Sequence, residues 1–181
     1  MPRATQTDLA VLAALSVAPM TGYAVRDAIR THLGSFWNES FGQIYPALAR
    51  LRTEGLVEVD AGERTGSSVH RLTAAGRARL VELMREPAVM TPPRNGMLLR
   101  LFFGDVIGAE ACRALVGEAR EQAVAQLAAL AAARRETEAE PAELPQRAYW
   151  LMTISAGEHT ARASIAWADE TLAALTALTA P

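Results

Sequence analysis

Ile44-Tyr45-Pro46-Ala47-Leu48-Ala49-Arg50-Leu51-Arg52-Thr53-Glu54-Gly55-Leu56-Val57-Glu58-Val59 is the stretch that decides the fold. Ile44, Leu48 and Leu51 recur at i, i+4 and i+7, which puts them on one face of a helix. Gly55 ends that helix. Leu56 to Val59 then alternates in β-forming residues, as a half-buried strand does.

Toward the N-terminus, Leu9, Leu12, Ala13 and Leu15 keep helical spacing from Thr7, with Thr7 or Asp8 as the cap and Pro19 as the stop. Thr21 caps a second helix through Tyr23, Val25, Ile29 and Leu33, ended by Gly34. Toward the C-terminus, the turn-rich run 60–68 leads to a returning strand, Val69 to Leu72. Thr73 then caps a helix through Ala78, Leu80, Val81 and Met84. Helix, helix, helix, hairpin, helix is the winged helix-turn-helix order, in which the third helix enters the major groove of DNA. Pro87, Pro92 and Pro93 break the pattern, so the chain divides into a winged helix-turn-helix domain (1–86), a linker (87–93) and a helical domain (94–181).

The second domain reads as helices throughout, which makes the fold mainly α. Leu98 to Ile107 is an apolar helical segment, and Ala109 to Arg135 is a long helix with Leu115, Ala119, Ala123, Leu127 and Leu130 on one stripe. After the acidic break 136–143 a last long helix carries Trp150, Ile154, Gly157, Ala161, Ile165, Ala168 and Leu172 three or four apart. Small and apolar stripes on helices this long need a partner, and a second copy of the chain is the simplest. A homodimer is expected.

Charge and composition narrow the function. Residues 1–80 carry nine Arg against seven acids, and residues 81–181 nine Arg against thirteen, so the basic surplus lies at the front. All 18 basic residues are Arg. Without a membrane-length apolar stretch or a leader-like N-terminus, the expected location is cytoplasmic, with no membrane partner. Cys112, alone of its kind, reads as a buried small hydrophobe. His32, His70 and His159 fall in three separate elements, and no Gly-rich phosphate loop, nucleophile elbow or metal-ligand spacing occurs. No catalytic residue, metal or cofactor is expected; Glu158 and His159 are adjacent on a helix and point apart.

Met20-Thr-Gly-Tyr23, Phe36-Trp37, Ile44-Tyr-Pro-Ala-Leu48, Glu54-Gly-Leu-Val57 and Arg71-Leu-Thr-Ala-Ala-Gly76-Arg77 resemble, in register, the PadR family of transcriptional regulators. The resemblance is close over residues 9–84 and looser over 94–175, where Leu98-Leu-Arg-Leu-Phe-Phe-Gly104 carries it. It implies a sequence-specific regulator that binds double-stranded DNA as a homodimer on an inverted repeat, more a repressor than an activator, and responds to a small aromatic effector. A helical protein-interaction module that keeps the winged shape without binding DNA is the alternative.

With Ile44, Leu48 and Leu51 inward, the opposite face of the third helix carries Gln43, Pro46, Arg50 and Thr53, flanked by Tyr45 and Arg52. Gln43 and Arg50 have the forks that read adenine and guanine edges, against the plain reading of a solvated face. The resemblance gives Tyr45 a phosphate-contacting phenol and makes Pro46 a rigid early part of the helix, which costs little if the helix starts at about Gly42. It also gives Tyr23 a hydroxyl reaching the DNA backbone, where the residue alone reads equally as a core aromatic. Arg64, Thr65 and His70 are phosphate contacts of the wing, with His70 otherwise a surface strand residue. Trp150, Trp167, Phe102 and Phe103 are either core and interface anchors or the flat walls of an effector site.

Overall fold

The structure, a computed structural model, describes residues 5–33, 37, 41–60, 68–88 and 95–178. Arg64, Thr65, Gly34, Phe36 and most of the expected linker lie outside the described residues. The chain divides into two compact units near residue 90.

In the first unit, α1 (Gln6–Val17) starts one turn earlier than the apolar spacing implies. Thr5 is the cap, accepting from the Asp8 amide at 3.2 Å, while the Asp8 carboxylate accepts from the Thr5 amide at 2.7 Å. This reciprocal box satisfies two helix-start donors. Thr7 and Asp8 are thus buried helical residues. A two-residue strand, β1 (Met20–Thr21), precedes α2 (Gly22–Ala28), which Thr21 caps and a π-helical turn, Ile29–Leu33, prolongs. No periodicity signal reveals a strand of two residues.

α3 (Phe41–Thr53) holds Pro46 inside its second turn, not at its start, so the Gly42 carbonyl loses the intrahelical amide that Pro46 lacks. Gly55, at φ 71°, ends it: the Leu56 amide reaches back to the Leu51 carbonyl at 2.9 Å and the Gly55 amide to that of Arg52 at 3.0 Å. That left-handed turn suits glycine and sends the chain straight into β2 (Val57–Asp60). β3 (Val69–Leu72) lies between β1 and β2, antiparallel to both, with His70 opposite Met20 on one side and Val59 on the other. Thr73 caps α4 (Ala74–Arg85) and donates to the Gly55 carbonyl, tying the end of α3 to the start of α4. Gly76 sits so close that a Cβ there would lie 2.0 Å from the Leu56 carbonyl oxygen. Val11, Leu12, Val25, Ile44, Ala47 and Val57 form the heart of a sealed core. This unit is a winged helix-turn-helix.

In the second unit α5 (Gly96–Phe102) is capped by Asn95, and α6 (Gly104–Ala139) follows with a kink at Gly108, whose φ of 82° no neighbouring side chain shares. The apolar segment 98–107 is therefore two helices rather than one. α7 (Arg147–Ala177) returns antiparallel to α6, as the cross-helix pairs Arg120 with Asp169, Arg134 with Glu158 and Leu130 with Gly157 require. A Cβ at Gly157 would stand 3.0 Å from Leu130, so the small-residue stripe lets the helices close up. Cys112 is buried, clustered with Val116, Ala168 and Leu175. Glu158, nearly sealed from solvent, accepts from Arg134 at 2.8 Å and from Arg162 at 3.2 Å. No helix among the described residues is long and apolar enough to cross a membrane.

Candidate nucleic-acid interface

Ile44, Ala47, Leu48 and Leu51 anchor α3 in the core. Ala47 widens the inward face beyond the three residues that set the sequence wheel and turns the helix about its axis. Pro46, Ala49 and Thr53 then face outward, Gln43 and Arg50 border one side, and Tyr45 and Arg52 border the other. Thr53 returns its hydroxyl to the Ala49 carbonyl at 3.0 Å.

Arg50, at the edge of the open face, is held from within the protein. Its Nη2 donates to Asp8 Oδ1 at 2.5 Å, and the Asp8 side chain is only 5 % exposed. The other Asp8 oxygen serves the Thr5 cap. One buried carboxylate thus joins the start of α1 to the last turns of α3, and Arg50 is a strut between them. A guanidinium committed to a desolvated carboxylate is a poor choice for reading a base edge, because leaving would strand the acid.

The other border of α3 faces a cleft of about 410 Å³ lined by Thr21, Gly22, Tyr23, Tyr45, Arg52, Val59, Ser68 and His70. Four residues named from the sequence, Tyr23, Tyr45, Arg52 and His70, therefore converge from α2, α3 and β3. The Tyr45 ring lies against the backbone of Gly22, where a Cβ would stand 2.8 Å from Cε1. Tyr23 is exposed, with the Arg26 guanidinium 5.7 Å from its ring centroid. His70 Nδ1 is sealed from solvent and has no hydrogen-bond partner among the described residues. Burial, and then the nearby Arg52 charge, push the imidazole below its ordinary pKa. The sequence did not point to Thr21, Gly22, Val59 or Ser68, which the pairing of β3 with both β1 and β2 brings to the cleft.

The four aromatics proposed as effector walls do not share one site within a chain. Trp150 and Trp167 lie on the continuous α7, 17 residues and so about 25 Å apart along its axis. Trp167 packs on the Cys112 cluster, whereas Phe102 and Phe103 form an exposed edge-to-face pair with centroids 5.0 Å apart.

Residues 11–82 match the transcriptional regulator PadR-like family, and residues 93–176 match the C-terminal domain family of virulence activator alpha. The negative transcriptional regulator PadR of Bacillus subtilis (strain 168) is 26% identical over 98 residues, 52% of this chain and 54% of that protein, so the match spans about half of that relative's length. The virulence activator AphA of Vibrio cholerae is similar in structure at 28% identity, with a TM-score of 0.75 over 96% of this chain and 100% of that one. Bacillus subtilis PadR in complex with operator DNA shares the fold at 20% identity and a TM-score of 0.76, over 93% and 98% of the two chains. The same protein in complex with p-coumaric acid matches over the same shares at a TM-score of 0.71.

Proposed function

We propose, from the match of residues 11–82 to the PadR-like transcriptional regulator family, that this chain is a sequence-specific DNA-binding regulator, a repressor that acts in the cytoplasm as a homodimer. The observation that carries the reading is the convergence of Tyr23, Tyr45, Arg52 and His70 on one cleft beside the exposed side of α3. In this reading α3 lies in the major groove. Gln43 and Thr53 face base edges, while Tyr23, Tyr45, Arg52 and the wing, with Arg64 and Thr65, hold the phosphates. Arg50 sets the angle at which α3 is presented.

Two such helices related by twofold symmetry require an inverted repeat with half-site centres about 34–36 Å apart. The second unit supplies the dimer contact, supported by its exposed Leu99, Phe102, Phe103, Val106 and Tyr149. A relative of the same fold that is found with p-coumaric acid supports a small aromatic effector for this chain as well.

Titrating the protein against duplex DNA over a range of salt tests the reading. A regulator of this kind loses affinity steeply, with a log–log slope of about 0.9 per phosphate contact. A protein-interaction module shows no retention at low salt.

A further inference from the structure

His70 has surroundings that suit a neutral ring and a charged one poorly. β3 places it between Met20 and Val59, neither of which carries charge or a hydrogen-bonding side chain. From α3 it meets Arg52, and the cleft adds Tyr23, Tyr45, Thr21 and Ser68, whose polar groups are hydroxyls. Glu58 and Asp60 of β2 stand opposite Arg71 and Val69, so the strand pleat turns them to the other face, where both pair with Arg71. α1 also packs near β3, and its acid, Asp8, is held by Thr5 and Arg50. No carboxylate among the described residues lines the cleft. Among the described residues, an imidazolium there would meet one cation, Arg52, and no counter-charge.

A phosphodiester supplies what is missing: one negative charge and acceptor oxygens for Arg52, the tyrosine hydroxyls and a protonated ring. We propose that the cleft seats a backbone phosphate of duplex DNA and that His70 takes up a proton from solution as the phosphate arrives, linking DNA binding to pH. This rests on the DNA-binding reading above. Direction follows from linkage: burial and Arg52 lower the affinity of His70 for a proton in the free protein, and the phosphate raises it. Affinity therefore rises as pH falls through the imidazole range, by at most about tenfold per pH unit for each proton taken up, and so by at most about a hundredfold for a dimer that takes up one per protomer. Arg52 makes the site electropositive, and His70 adds its charge only when the phosphate arrives.

The test uses the full chain and a fluorescent duplex of arbitrary sequence, since a phosphate contact carries no base information. Binding is measured from about pH 8 to about pH 6 at several salt concentrations, beside His70→Gln and a His159→Gln control on the exposed surface of α7. Wild type and His159→Gln should bind more tightly as pH falls, with a salt slope steeper by roughly one unit per protomer at the acid end. His70→Gln should show neither change. Calorimetry in two buffers of different ionisation enthalpy should find proton uptake that His70→Gln abolishes. Because His70→Gln alters a strand, the wild-type ring is also titrated by NMR, where duplex DNA should raise its pKa and inorganic phosphate at equal concentration should not. Identical pH profiles for wild type and His70→Gln, or an unmoved imidazole titration on saturation with DNA, overturn the proposal while leaving DNA binding intact. If inorganic phosphate alone moves the titration, the cleft is a free-phosphate site and the assignment to DNA falls. No duplex binding by wild type at any pH removes the DNA-binding reading and the proposal with it.

Discussion

The two units bury their apolar side chains very differently. In the first, Val11, Leu12, Val25 and Ile44 are wholly sealed by elements of the same unit. In the second the main cluster is small, Cys112, Val116, Ala168 and Leu175, while Phe102 is 80 % exposed and Val106 79 %. The first unit has a finished core, and the second leaves large apolar side chains such as Phe102, Phe103 and Val106 uncovered. A rigid platform is what α3 needs if its outer side is to meet a rigid duplex. An unfinished hairpin of long helices is what a twofold dimer is made from.

Core truncation gives the largest effect and separates the two. Leu48→Ala should cost about 2–5 kcal/mol in urea unfolding of the first unit, because the hole lies in a packed interior. Phe102→Ala should change the stability of the isolated subunit within about 0.5 kcal/mol. Comparable losses for the two would break the contrast. Phe102→Ala with Phe103→Ala should instead weaken self-association by about 2 kcal/mol, roughly thirtyfold in dimer dissociation constant, read by sedimentation over a dilution series.

Arg50→Ala comes next. It strands the buried Asp8 carboxylate and should cost about 1–3 kcal/mol of first-unit stability, with no change in self-association. Its ratio of operator to scrambled-sequence affinity should stay near wild type, since the guanidinium is occupied within the protein. A collapse of that ratio with stability preserved would return Arg50 to the base edges.

The smallest effect belongs to Glu158 and shows as a pH dependence. The Arg134 hydrogen bond, aided by Arg162, holds its carboxyl below the ordinary value near 4.5 against the opposing effect of desolvation. A depressed folded-state pKa contributes stability that is present above the unfolded value and lost as pH falls through the folded one. Acid unfolding followed by circular dichroism should therefore begin at higher pH for wild type relative to its own neutral stability than for Glu158→Gln.

Helix spacing and turn residues were enough to read most of the architecture. Ile44, Leu48 and Leu51 are inward, Gly55 turns the chain, and Thr21 and Thr73 cap as expected. What escaped depends on contacts remote in sequence. The wheel of α3 was centred without Ala47, since alanine is ambiguous between core and surface, and that displaced Arg50 onto the outer face. Its true partner, Asp8, is 42 residues away and already busy as a helix-start acid, so no local pattern links them. Thr5 is the cap where Thr7 or Asp8 was expected, because the helix begins three residues before Leu9, the first residue of the apolar run. The cleft was half legible: Tyr23, Tyr45, Arg52 and His70 were named singly, but only the packing of α2, α3 and β3 around one space shows that they face it together. Along α7 the spacing of Trp150 and Trp167 was readable as helical, and its length alone already separates them.

Sedimentation of the full chain at micromolar concentration, with and without an excess of labelled duplex at low salt, tests the central claim most directly. The account predicts twice the mass of a single chain in the protein alone, and a complex of two chains per duplex that dissolves as salt is raised. A well-folded single chain that leaves the duplex to sediment by itself would contradict it.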